Sequence, residues 1–152
     1  MSKKSYSPDP NGAHRRLYDI VLNSVAWRCL SPAAKGLWCD LRAQVGSTNN
    51  GAATTALAVL SHRGWSSRHT IMRARQQLEA LGFIRLTLQG GIASGGKKPN
   101  LYRFTDLDMY ELPKYKLSAI KADHLYKSFR EVREAKATLR LIKNQPNKKE
   151  EV

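Results

Sequence analysis

The chain has 152 residues, 41% of them apolar, a formal net charge of +14 and a pI near 10.1. That length suits one compact domain with extensions, and the apolar content is enough for a core. A chain this basic expects a polyanion, first of all a nucleic acid. No run of 18 apolar residues is present, which excludes a membrane-spanning helix, and MSKKSYSPDPNG lacks the apolar stretch of a secretion signal. The expected location is the cytoplasm, on the nucleoid when DNA is bound. Cys29 and Cys39 have no CxxC spacing and are expected as reduced thiols.

In chain order, residues 1–12 are polar and read as a flexible arm. Residues 15–30, RRLYDIVLNSVAWRCL, read as a short helix or strand followed by a turn. Ser31-Pro32 is a helix start, because serine caps and proline is preset at the first helical position. Ala33, Ala34, Leu37, Trp38, Leu41 and Val45 then recur at helical spacing up to Gly46. After the turn STNNG, a second helix is expected from Thr54 or Thr55 to Arg63, stopped by Gly64. Ser66 is the expected cap of a third helix, from Ser67 to Leu81, with Gly82 as a left-handed terminator. FIRLTLQ and LYRFT alternate and read as two strands of a hairpin. Leu125, Phe129, Val132, Leu139 and Ile142 place an amphipathic helix within 113–143, where 113–152 holds 11 Lys/Arg against 5 Asp/Glu. Residues 144–152 are a polar tail.

The loop between the strands, GGIASGGKKPN, approaches a phosphate-binding P-loop. Lys98 stands where that motif needs a hydroxyl for Mg²⁺, and a strand follows where it needs a helix N-terminus. The glycines and Lys97-Lys98 therefore suit close approach to phosphates without sequence reading. Tyr102 and Phe104 alternate with Arg103 and are expected in the core.

Three helices followed by a hairpin give the expected fold class: mainly α with a small β-hairpin, a winged helix-turn-helix over 13–112 with a helical extension. The segment NGAATTALAVLSHRGWSSRHTIMRARQQLEALGFIRLTLQGGIASGGKKPNLYRFT resembles winged helix-turn-helix DNA-binding proteins of bacteria, phages and plasmids. More distantly it is similar to the DNA-binding domain of phage replication initiators. The resemblance spans roughly 15–106 and lies in the order of parts: LAVLSHRG, the Ser66/Thr70 spacing, LEALGFIR, the glycine-rich loop and the alternating strand. It implies DNA binding and no further activity.

On the third helix, Ile71, Ala74, Leu78 and Leu81 share the core face. Arg68, His69, Met72, Arg73 and Gln76 are the candidate base readers, since Arg and Gln can bond guanine and adenine edges bidentately. Thr55, Arg63, Ser66, Ser67, Arg75, Lys97 and Lys98 are the candidate backbone contacts. Trp27, Trp38 and Trp65 are read as structural. No metal-ligand spacing and no catalytic pairing stands out, so no enzyme, metal or cofactor is expected. The expected partner is double-stranded DNA, bound sequence-specifically by a transcriptional regulator, repressor-like, of a mobile element or its host. Origin or partition-site binding is the alternative, with a possible replication or transcription protein as a further partner. A third reading is a protein-interaction module. Pairing of the C-terminal helix through Leu125, Phe129, Val132, Leu139 and Ile142 would make a homodimer.

Overall fold

Ser24 accepts a hydrogen bond from the Trp27 N–H at 3.2 Å, and Ser31 one from the Ala34 N–H at the same distance. These two caps start consecutive helices. The computed structural model describes residues 8–93 and 96–143. Segment 15–30 forms two short helices, α1 (Asp19–Leu22) and α2 (Val25–Cys29). The Ser31 cap and Pro32 open α3 (Pro32–Arg42), which ends four residues before Gly46. Strand β1 (Ala53–Thr54) follows, then α4 (Leu57–Leu60), a 3-10 turn over Ser61–Arg63 and Gly64 at φ +91°. Helix α5 (Arg68–Ala80) is capped by Ser67, not Ser66: the Ser67 hydroxyl accepts from the Thr70 N–H at 3.2 Å. Gly82, at φ +80°, turns the chain into β2 (Ile84–Leu88). Strands β3 (Gly91–Ala93), β4 (Gly96–Lys98) and β5 (Leu101–Phe104) follow.

β5 is the central strand of a three-stranded antiparallel sheet, in the order β1-β5-β2. β3 and β4 pair as a separate two-stranded ribbon. The expected fold class is thereby corrected. The protein is mixed α/β, 44% helical and 15% strand, built on a three-stranded sheet and not mainly α with one small hairpin; a winged helix is not shown. The difference begins at Thr54, one of the two residues expected to open the second helix. Ala53 and Thr54 instead pair with Tyr102 and Leu101, and the Gln44 side chain bonds both the N–H and the C=O of Thr54 at 2.9 Å. A two-residue strand held from two distant sites has no local pattern to betray it.

The core lies between the helices and the inner face of the sheet. Trp27 meets Trp38 edge to face at 5.4 Å and Phe83 at 5.8 Å, Trp38 meets Phe104, and Phe83 stacks on Tyr126 at 5.3 Å. Arg42 and Asp106 form a bidentate pair, 2.8 and 2.7 Å, with side chains only 4% and 5% exposed. The guanidinium also lies 4.8 Å from the Trp38 ring centre and 4.7 Å from that of Phe104. The buried Asn50 closes the turn before β1. Its amide donates to the Phe104 carbonyl at 3.1 Å and accepts from the Phe104 N–H at 2.7 Å.

The 113–143 helix is also corrected. Ile120 bridges Met109, Leu117 bridges Leu112, and 3-10 turns occupy Pro113–Tyr115 and Leu125–Ser128. Only α6 (Val132–Lys143) is helical, and it packs on α2 and α5. Of the five candidate dimer residues, Leu125 belongs to the 3-10 turn, while Phe129 and Leu139 are packed against the core. Residues 117–125 instead form a strap that runs back along residues 105–112 and reaches the sheet at Arg103. The Thr105 carbonyl accepts from the Asp123 and His124 N–H groups, and Arg103 donates to the Asp123 carboxylate at 3.2 and 2.8 Å. β5 is buried along its whole length, and at Arg103 the strap supplies the cover.

The Arg103 hydrogen bonds hold the Asp123 carboxyl below the usual carboxylate range, against the opposing effect of its burial. A carboxyl depressed on folding contributes stability that is full above its unfolded value, 3.8, and is lost as pH falls through the lower folded value. Asp123→Asn is therefore expected to flatten the acid limb of the stability–pH curve below about pH 4. Denaturant midpoints measured from pH 2 to 7 check it, and an unchanged acid limb would remove the strap's ion pair from the stability account.

The polar tail at 144–152 and residues 1–7 of the expected arm lie outside the described residues; residues 8–12 are exposed. Cys29 and Cys39 are free thiols, and burial pushes that of Cys39 up.

Candidate nucleic-acid interface

Helix α5 divides by side. Ile71, Ala74 and Leu78 are buried. Arg68, His69 and Arg73 are exposed, and Met72 and Gln76 are half-buried at the border. The helix is pinned in its last turn to the start of α3, where Gln77 Oε1 accepts from the Ser31 N–H at 3.0 Å. Its exposed face is thus presented by a fixed element and not by a loop, which is what a reading helix requires.

The turn leading into α5 is equally fixed. Asp40 accepts from the Trp65 indole N–H at 2.6 Å and lies 3.8 Å from the Arg63 guanidinium. Trp65 is half-buried against the core, in the structural role expected of it. Arg63 is exposed and its ion pair long, so it remains able to meet a phosphate. Arg63, Ser66, Ser67, Arg68 and His69 thus gather around the N-terminal end of α5, where backbone N–H groups and the helix dipole favour an anion. Thr55 is half-buried before α4. Arg75 is half-buried and engaged by Glu79 at 3.2 Å, which neutralises it in place.

Lys97 and Lys98 are exposed on β4, away from the three-stranded sheet. A bulge between Leu86 and Leu88 and a tight neck aim this ribbon. At the neck, Gly90 donates to Asn100 Oδ1 at 2.6 Å, and any Cβ at Gly90 would strike the Lys98 carbonyl. Within the glycine-rich segment, read from sequence as a flexible basic loop, Gly91–Ala93 and Gly96–Lys98 therefore pair as a two-stranded arm.

A further signal is present in the sequence. Between residues 41 and 105 there are nine Lys/Arg and a single acid, Glu79. The structure shows how that bias is distributed. Arg42, Arg75 and Arg103 are held by Asp106, Glu79 and Asp123. Arg68, Arg73, Lys97 and Lys98 are left exposed without a carboxylate of their own, while Arg85, also exposed, lies within reach of the Asp123 charge. Such a surface attracts phosphates at long range and repels other basic proteins.

Among the described residues no helix is long and apolar enough to cross a membrane. Nor, among them, could any group of three or more His, Cys, Asp or Glu side chains hold a metal ion. Comparison with known proteins finds no matching family model, no similar curated protein and no similar solved structure.

Proposed function

We propose that this protein binds double-stranded DNA sequence-specifically and acts as a regulator of transcription. The observation that carries the reading is the exposed face of α5, with Arg68, His69 and Arg73 and with the helix's one acid, Glu79, engaged by Arg75, on a helix locked to the core by Ile71, Ala74, Leu78 and Gln77. An α-helix fits the major groove, where Arg73 and Gln76 can form bidentate bonds to base edges. Arg63, the serine-flanked end of α5 and the Lys97–Lys98 arm contribute phosphate contacts that set register and affinity. Selection of bound sequences from a random duplex pool tests the reading. Recovery of one preferred motif supports it, and a pool that stays random overturns sequence-specific binding. Arrays of repeated sites beside a replication origin would move the role from transcription to replication.

Arg73→Ala and Gln76→Ala should each cost roughly 1–3 kcal/mol on the preferred site and little on random duplex. Fluorescence anisotropy titrations on the two duplexes check this. Equal losses on both would make α5 a phosphate anchor and not the reader.

The arm should act without regard to sequence. Lys97→Ala with Lys98→Ala should weaken binding to every duplex alike. The slope of log K against log salt should become shallower by up to about 2, at about 0.9 for each phosphate that the variant no longer neutralises. A slope identical to that of the native protein would take the arm out of the interface.

A further inference from the structure

The exposed candidate readers lie in the first half of α5. Arg68, His69 and Arg73 are exposed, whereas every residue from Ala74 to Leu81 is buried or half-buried. The covered end is where α2 and the 3-10 turn at Leu125–Ser128 gather. Trp27 and Tyr126 both meet Phe83, just beyond α5, and Gln77 holds the Ser31 N–H. α6 packs on α2 and on α5, so it belongs to this far end of a 13-residue helix about 20 Å long. Its inward side carries the buried Ala135 and Leu139, which packs against the core. The cations of α6 gather on an outward flank. Arg133, Lys136, Arg140 and Lys143 are all exposed, and at about 100° per residue they fall within an arc of about 80° along about 15 Å of helix. Glu134 stands about 100° from Arg133 and accepts from the Arg130 N–H at 3.3 Å. Arg133 has a loose, exposed contact with Glu131 at 3.5 Å, and among the described residues no carboxylate pairs with Lys136, Arg140 or Lys143. The helix dipole favours Arg140 and Lys143 in the last turn, but it does not ask them to share a flank with Arg133 and Lys136.

We infer that this flank of α6 is a second nucleic-acid surface, which holds the phosphate backbone of a second DNA duplex while α5 reads the first. This rests on the proposed DNA binding and adds to it the joining of two DNA segments by one chain. Four cations with no amide or aromatic side chain among them suit phosphates and not base edges, so the second contact takes any sequence. The apolar side of α6 is taken up by α2 and α5, which leaves a charged flank without the apolar face that a lipid surface would bury. A helix that meets base edges through its N-terminal residues points its other end out of the groove. α6 is carried on that other end, so its cations face away from the duplex that α5 occupies.

The test uses the full chain and two duplexes. One carries the selected site and is immobilised; the other is of random sequence, dye-labelled and free. Native protein bound to the first should capture the second, and capture should weaken with salt at a slope of about 0.9 for each phosphate met. A variant with Lys136→Gln, Arg140→Gln and Lys143→Gln keeps the helix propensity of α6, because glutamine ranks with lysine and arginine. It should hold the first duplex within about twofold of native and capture the second roughly tenfold less. An unchanged denaturant midpoint confirms that the variant is folded. Native protein that captures no second duplex overturns the bridge and leaves reading by α5 standing. Capture by the variant at the native level also overturns it, since another surface then holds the second duplex. A variant that loses the first duplex as steeply as the second places α6 on the DNA read by α5, which again overturns the bridge. A first duplex bound without preference, with a second still captured through α6, removes the reader and leaves the bridge. Failure to bind any duplex overturns both.

Discussion

Arg42→Ala and Asp106→Ala are each expected to destabilise the protein by about 3–5 kcal/mol, because each leaves the other partner as an uncompensated buried charge. Both side chains are nearly inaccessible, and the pair joins the end of α3 to the segment leaving β5. Arg42 adds interactions beyond its charge: the faces of Trp38 and Phe104, and a hydrogen bond from Nε to the Arg16 carbonyl at 3.3 Å. Arg42→Met combined with Asp106→Leu should recover most of the loss, since replacing both charges by apolar groups removes the desolvation cost as well as the attraction. Denaturant unfolding of the two single variants and the double variant decides it. Single losses below about 1 kcal/mol would mean that water reaches the pair and that its burial is not maintained in solution.

The second large effect is expected at a glycine, and a neighbouring glycine provides the control. Gly82 and Gly64 both adopt left-handed conformations, at φ +80° and +91°. An alanine at either costs of order 1–2 kcal/mol for that conformation. Around Gly64 nothing lies within 4 Å of the added Cβ. At Gly82 the added carbon would lie 2.7 Å from the Leu125 carbonyl carbon and 2.8 Å from the Tyr126 nitrogen, both backbone atoms where the strap enters its 3-10 turn. Gly82→Ala must therefore displace the strap and with it the Phe83–Tyr126 stack, for a total of about 3 kcal/mol or more. Gly64→Ala should stay near the conformational cost alone. Equal losses in the two variants would show that the strap yields without penalty.

These two sites also show what the sequence could and could not say. Gly82 and Gly64 were legible as helix terminators, because each follows a periodic apolar run and left-handed termination is a local property. The Ser31-Pro32 start, the buried side of α5 and the inward rings of Tyr102 and Phe104 were legible for the same reason. What lay above Gly82 was not legible. Leu125 arrives from more than forty residues away, through bridges and 3-10 turns that leave no periodic signature. The apolar residues from 120 to 142 happen to fall near helical spacing, yet Ile120 belongs to a bridge, Leu125 to a 3-10 turn and Leu139 to α6. Spacing alone does not distinguish one helix from three elements met in succession. Arg103 was expected to point outward between two inward rings. It does, and the strap then covers it, so alternation gave its direction but not its burial. In the candidate interface, the exposed cations of α5 could be placed by angle. The ordering of the glycine segment into an arm depends on pairing between Gly91–Ala93 and Gly96–Lys98, which composition does not encode.

The packing of α6 on α2 has a consequence for how the chain is made. Residues 25–29 leave the ribosome early, but α2 meets its partner α6 only in residues 132–143. At about 5–20 residues per second, the intervening hundred or so residues keep that surface waiting for several seconds or more. The packing of α3 on α5 and the sheet can assemble in the meantime, since all their parts precede residue 105. Closure of the domain is therefore a late event in synthesis. A nascent chain stalled before residue 132 presents the α6-facing side of α2 to chaperones in place of a finished fold.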